Sequence, residues 1–499
     1  MVLPSLRFSG PTTTFASIVM VLGFIVSSLL AAHAVDATPS APVMAVKPAF
    51  ASPLSLANSV QVVGSTVDAS GNSYFLATSS MFSDCGQGFI EVSTTGTVTK
   101  QNLCYDTGST HVSAGLMSIQ WATIAGSSSL IVANGNYIWV LPTTATGGTT
   151  TFTLSNDLYG YNTLYYGGVF YDSANDTMYV SDLTGGFGVK SFSDVSQCVA
   201  TPQTGSCATP HPVLAGTGAA GGALTVAGTS VVFAAETTSS PAHAELCSGP
   251  LSGTGTQTPT CSTLASSLDT YGPLTTDNQG NVWLVAYNST VTNPTSGGLS
   301  GSLYELPAGA TSAVPVTLSP SNLVYAPQTL VWSDAAPWHS GLLALDTADM
   351  SSATQHLWVM NPVPAIPTGV NATTPSRGST TIAWSAASGA ARYVVTASPG
   401  SSTCAIAAPQ TSCALTGLGA GTYRVSVVAT SSASVSSAPS TTITVVVAST
   451  TTTTSSTTST IRPTPLPDTG APLGIIALCG SGLLSAGVVL GLRRKGSRI

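Results

Sequence analysis

The chain is 499 residues long, yet only 12 are Lys or Arg and 19 are Asp or Glu, so charged residues make up 6% where soluble domains carry about 25%. Hydrophobic residues reach 43%, which excludes a charge-rich disordered chain, and the 49 glycines and 31 prolines follow no three-residue period, which excludes collagen. At about 150 residues per domain the length predicts two or three units, and the bias to Ser, Thr, Gly and Val predicts short strands joined by turns, an all-β chain. Residues 50–365 hold two basic side chains, Lys100 and Lys190, against 17 acidic ones, a formal −15; residues 366–447 hold Arg377, Arg392 and Arg424 and no acid. Phosphate recognition needs Lys and Arg, so nucleic acid and polyanionic glycans are excluded as partners of the long segment, leaving neutral carbohydrate, cationic peptides or Ca²⁺.

In chain order, Arg7 comes first, then an uncharged apolar run from Phe15 to Ala32, closed by Ala32-His33-Ala34. This layout predicts a secretory signal helix over residues 1–34, cleaved after Ala34. The alternative is an uncleaved anchor, because 18 apolar residues just suffice to span a bilayer.

Residues 50–363 repeat. Asp68-Ala-Ser-Gly71-Asn72 and Asp277-Asn-Gln-Gly280-Asn281 each open a strand, Asp172-Ser-Ala-Asn175-Asp176 is a third copy, and weaker ones lie at Gly126 and Gly228. Units starting near 61, 117, 166, 220, 271 and 327 have a period of 49–56 residues. With about four strands each they predict a six-bladed β-propeller. The Asp-x-x-Gly-Asn opening resembles the blade signature of NHL-type and lyase-type propellers, such as the virginiamycin B lyase family. Lyase-type relatives use His and Glu with a divalent metal; no residue here is matched to those roles. The recurrent Asp68, Asp172 and Asp277 are read as turn caps rather than metal ligands.

No Gly-x-Ser-x-Gly elbow, His-Glu-x-x-His, P-loop or Cys-x-x-Cys is present. No catalytic residue, metal or cofactor is therefore assigned. His111, His211, His243, His339 and His356 are scattered over the repeats. Tyr166, Tyr271 and Tyr325 open three units. They are candidates for stacking against a neutral sugar or peptide, with repeat-level packing as the alternative.

Nine cysteines fall as four local pairs, Cys85/Cys104, Cys198/Cys207, Cys247/Cys261 and Cys404/Cys413, with Cys479 left over. An exported chain permits oxidation, and zinc spacing is missing, so four structural disulfides are expected.

From residue 364 the pattern changes. Thr381-Ile-Ala-Trp384, Arg392-Tyr-Val-Val-Thr396 and Thr422-Tyr423-Arg-Val425-Ser-Val427 alternate as sandwich strands. Residues 364–447 resemble a fibronectin type III module, with Tyr423 as the corner tyrosine and Cys404–Cys413 as a hairpin disulfide. Residues 448–465 are a Ser/Thr-rich stalk. Leu466, Pro467, Asp468, Thr469 and Gly470 then precede an uncharged run, Ala471–Leu492, and a basic tail over 493–499. The run is long enough for a transmembrane helix, and the basic tail places its end in the cytoplasm. This order resembles Gram-positive cell-wall-anchored proteins with an LPxTG sorting signal. The resemblance implies that a sortase thiolate attacks the Thr469 carbonyl, releases Gly470 and passes the acyl group to a peptidoglycan amine.

The whole predicts an exported surface protein of binding or adhesive function. The alternatives are an extracellular propeller lyase or hydrolase acting on a neutral glycan, or a purely structural wall component. Converging His, Glu and Asp side chains in the channel would mark the enzyme.

Overall fold

The computed structural model describes residues 41–449 except 57–59, 79–86, 103–104, 107–110, 113–117, 134–137, 143–165, 183–187, 201–209, 216–222, 238–240, 253–256, 266, 293–298, 320–328, 346–353 and 376–377. The expected signal segment 1–34, the sorting residues 466–470, the span 471–492 and the basic tail lie outside these, as does the stalk beyond Ser449. Among the described residues no helix is long and apolar enough to cross a membrane.

The described residues are almost wholly β. Six sheets, antiparallel but for one parallel pair in the last, follow one another, each starting from an inner strand: Gln61–Val67, Ser118–Ile124, Tyr166–Asp172, Leu224–Ala227, Thr270–Thr276 and Val331–Ser333 for blades 1 to 6. Each inner strand touches that of the next blade, and the sixth touches the first, so the sheets close into a ring. This is a six-bladed β-propeller.

Its core is not central but lies between blades. Six apolar clusters each join one blade to its neighbour. Tyr74, Leu76 and Phe89 of blade 1 meet Ile119, Leu130 and Trp139 of blade 2; Phe75 and Ile90 of blade 1 meet Leu343 and Val359 of blade 6. Because both faces of a blade are covered, second strands are apolar at consecutive positions rather than alternate ones. Tyr74 to Ala77 and Gly341–Leu345 are buried throughout.

Ring closure uses the chain's beginning. Val43–Pro48 pairs antiparallel with Leu357–Pro362, the third strand of blade 6, and parallel with Thr317–Ser319. It buries Met44 completely and leaves Val46 6% exposed. The boundary expected at residue 50 therefore misses this strand, whose short alternating pattern has no repeat partner to reveal it.

Inner strands of neighbouring blades do not pair in ladders, so their free amides take side-chain acceptors. Trp121 N donates to Thr66 Oγ1 (2.7 Å), Val169 N to Ser118 Oγ (3.1 Å) and Trp332 N to Thr275 Oγ1 (3.2 Å). The Ser/Thr richness of the sequence is partly this.

Residues 371–447 form two packed sheets. One has the order Asn371–Ala372, Thr380–Ala383, Ser412–Leu415; the other Thr403–Ala407, Arg392–Ser398, Gly421–Thr430, Ile443–Val447. Alternate side chains point inward, as in Arg392–Ser398 where Tyr393, Val395 and Ala397 are buried. Trp384 lies 5.2 Å from the Tyr393 ring in this core. The Tyr423 hydroxyl donates to the Gly419 carbonyl at 3.1 Å. Cys404 is bonded to Cys413. The bond is not internal to one hairpin ladder: Cys404 lies on the four-stranded sheet and Cys413 on the three-stranded one, so the disulfide ties the two sheets together.

Candidate functional site

The Asp-x-x-Gly-Asn turns follow the inner strands of blades 1 and 5. In blade 1, Asp68 Oδ1 accepts from the amides of Ser70 (2.9 Å) and Asn72 (2.8 Å), while Oδ2 accepts from Asn72 Nδ2 (2.8 Å) and the Tyr74 hydroxyl (3.3 Å). In blade 5, Asp277 takes the amides of Gln279 and Asn281, Asn281 Nδ2 (each 2.9 Å) and Trp283 Nε1 (3.1 Å). Gly71 and Gly280 supply the left-handed residue, at φ +90° and +85°. Each carboxylate is thus occupied by four internal donors, the turn-cap role rather than that of a cation ligand. The aromatic residue six positions on, Tyr74 or Trp283, is held by the same carboxylate. Burial, with the Glu91 and Asp68 carboxylates beside it, pushes the Tyr74 phenol far above its usual range.

Blade 3 departs from this pattern. Its turn is one residue shorter, Asp172 pairing with Thr177, and Asp176 takes the left-handed position at φ +48°. Asp172 still caps, accepting from Ala174 N (3.0 Å) and Asn175 Nδ2 (2.7 Å). Asp176 instead reaches Ser196, accepting its hydroxyl at 2.6 Å and its amide at 3.0 Å, at the start of the short helix Val195–Ala200.

Where the inner strands of blades 6 and 1 end, beside the middle of the blade-2 inner strand, a cavity of about 430 Å³ opens. Trp121, Trp332, Asp68 and Asp334 line it. Trp332 stacks on Trp283, with centroids 5.9 Å apart and planes at 10°, and donates its indole N–H to Asp334 Oδ1 at 3.1 Å. Ser340 donates to the same oxygen at 2.8 Å. The turn that presents Asp334 is strained, with His339 at φ +48° and Ser340 at φ +60°. It is fixed to blade 1 by Trp338, whose indole donates to the Gly71 carbonyl at 2.6 Å. The mouth is therefore a preorganised aromatic and acidic surface, with no basic side chain among the described residues that line it.

Sequence reasoning missed Trp121 and Trp332. Both occupy one repeat position, their amides held by Thr66 and Thr275 of the preceding blades. The sequence signal was Trp332-Ser-Asp334, which matches Thr66-Val-Asp68 and Thr275-Thr-Asp277 in spacing.

The expected stacking residues lie elsewhere. Tyr166 and Tyr271 begin the inner strands of blades 3 and 5, at the end away from the Asp turns; Tyr325 lies outside the described residues. Among the described residues, His211, His243, His339 and His356 do not line the mouth. His211 is exposed on the outer strand of blade 3, His243 lies before the third strand of blade 4, and His356 lies 5.4 Å from the Trp358 ring in blade 6. His339 is exposed in the blade-6 turn, and His111 begins a two-residue strand.

Cys247 and Cys261 face each other across two strands of blade 4 and are bonded. Their sulfurs lie near the Glu245 carboxylate, but thiolates consumed in a disulfide cannot hold a metal. Cys198 is disulfide-bonded; Cys85, Cys104, Cys207 and Cys479 lie outside the described residues.

No protein-family model matches the chain, and no curated protein matches it. Among solved structures it is similar to the extracellular domain of the one component system BT4673 from B. thetaiotaomicron, at 10% identity and TM-score 0.33, covering 80% of this chain and 58% of that one. It is also similar to the Cps50 (Swd1) β-propeller domain of Myceliophteria thermophila, at 10% identity and TM-score 0.35, covering 60% and 83%. A protein of unknown function from Dyadobacter fermentans aligns at 11% identity and TM-score 0.41, covering 63% and 98%. Such distant likenesses carry neither activity nor partner; the propeller here rests on its own closed ring of sheets.

Proposed function

We propose that this chain is a cell-surface binding protein: a propeller head that takes its ligand at the Trp121/Trp332 mouth, displayed on a fibronectin type III module and a Ser/Thr stalk. The observation that carries the reading is the mouth itself. Two tryptophans at one repeat position, one locked by a stack and an indole hydrogen bond, form a preorganised surface suited to binding. Hydrolysis or elimination would need an acid–base pair, and Asp68, one of the two carboxylates there, is spent on its turn. The two-sheet order, the buried Trp384 and the Tyr423–Gly419 hydrogen bond support the fibronectin reading of residues 364–447.

Display follows from the C-terminal signal. Ala471–Leu492 with its basic tail holds the exported precursor in the membrane until sortase cleaves after Thr469 and joins the chain to peptidoglycan. Replacing Thr469 with Ala should move the protein from the wall to the membrane fraction, and Trp121→Ala with Trp332→Ala should abolish adherence while leaving it in the wall. Adherence unchanged in the double variant would remove the mouth from the function. Recovery of native protein with residues 471–499 still attached would remove sortase.

A further inference from the structure

We infer that the mouth selects a cationic side chain, an ammonium or guanidinium group on an extended peptide, over a neutral sugar; this rests on the mouth being the binding site. Among the described residues the lining carries two carboxylates, from Asp68 and Asp334, and no basic side chain. Asp68 spends both oxygens on its own turn. Asp334 is exposed, and its hydrogen bonds from Trp332 Nε1 and the Ser340 hydroxyl both fall on Oδ1, which leaves Oδ2 without a partner among the described residues. The partner that best satisfies such an oxygen is a charged donor.

The aromatic walls agree. Indole is the best cation–π surface among the side chains, and the ring of Trp332 is held in place by its N–H bond to the carboxylate itself. A sugar ring would also stack, but it would meet a wall with an excess of acceptors and a field set by 17 acidic against two basic residues over 50–365. That field lowers the free energy of a cation along the whole approach and leaves a neutral glycan unaffected. An extended peptide rather than a compact amine fits a cavity of about 430 Å³ that runs from the ends of the blade-1 and blade-6 inner strands to Trp121 of blade 2.

The test uses the full chain and two N-acetylated pentapeptides, Gly-Lys-Gly-Lys-Gly and its norleucine counterpart, with cellotetraose as the neutral sugar. Binding is read from tryptophan emission and calorimetry at physiological salt. The lysine peptide should bind about tenfold or more tighter than the norleucine peptide, a comparison made on the unaltered protein. Asp334→Asn should remove that preference, while Glu245→Gln, which deletes the same charge from blade 4, should keep it. If cellotetraose or the norleucine peptide binds as well as the lysine peptide, the mouth is a binding site but cation selection is wrong. If equal loss accompanies Asp334→Asn and Glu245→Gln, the attraction is diffuse and the inference also fails. If none of the three probes binds and Trp121→Ala with Trp332→Ala leaves adherence intact, it is the mouth reading itself that falls.

Discussion

Gly71 shows how much one residue decides here. It stands at φ +90° where the blade-1 turn meets the blade-6 turn, and a Cβ there would lie 2.7 Å from the Ala336 carbonyl oxygen and 3.2 Å from Trp338 Nε1. Gly309 has a similar φ of +77° with nothing near its missing Cβ. Gly309→Ala should therefore cost only the left-handed backbone term, about 1 kcal/mol, whereas Gly71→Ala must also displace a backbone oxygen and the Trp338 indole, costing about 2–4 kcal/mol in all. Urea unfolding of the two variants measures the difference, and equal losses would mean the two turns do not bear on each other. The turn caps were legible at this scale, because an Asp before Gly-Asn has a local physical use. The tryptophan mouth was not, since its members come from blades 2 and 6 and meet only when the ring closes.

At the scale of elements, closure depends on Val43–Pro48. Without it, Leu357–Pro362 becomes an open edge and Met360 and Trp358 lose their cover. Burial of Met44 and Val46 alone stabilises by about 3–5 kcal/mol. A chain beginning at residue 50 should accordingly unfold at lower denaturant and be cut readily by protease within blade 6; one that begins at residue 41 should resist. Unchanged stability of the shorter chain would show that the blade closes without this strand. The Cys247–Cys261 disulfide acts on a smaller span, closing a separation of 14 residues. Its replacement by two serines should cost about 2–3 kcal/mol, read as a lower denaturation midpoint than that of the oxidised chain.

For the whole molecule the dominant fact is the negative charge of its long segment, 17 acidic residues against two basic ones over 50–365. Burial, reinforced by Asp269, raises the Glu236 carboxyl above its ordinary value of 4.5, and burial with Asp277 does the same for Glu305. A folded value raised above the unfolded one means the native state binds the proton more tightly. The stabilisation is full below 4.5 and is lost as pH rises through the raised values. The protein should therefore melt at a higher temperature at about pH 5 than at about pH 8, and Glu236→Gln with Glu305→Gln should raise the value at the alkaline end and flatten the slope. A melting temperature that climbs steadily with pH would contradict this.

The sequence by itself determined what depends on local spacing. The six openings near 61, 117, 166, 220, 271 and 327 fall within a few residues of inner strands that begin at 61, 118, 166, 224, 270 and 331, because a turn's chemistry and a strand's apolar run are written in neighbouring residues. Only the tertiary structure decided what requires closure. It set a strand from the chain's start in the last blade, put Cys404 and Cys413 on different sheets, and brought Trp121 within one cavity of Trp332, more than 200 positions away. Contacts between blades depend on the shape of the completed ring, and no segment of about 50 residues carries that shape within itself.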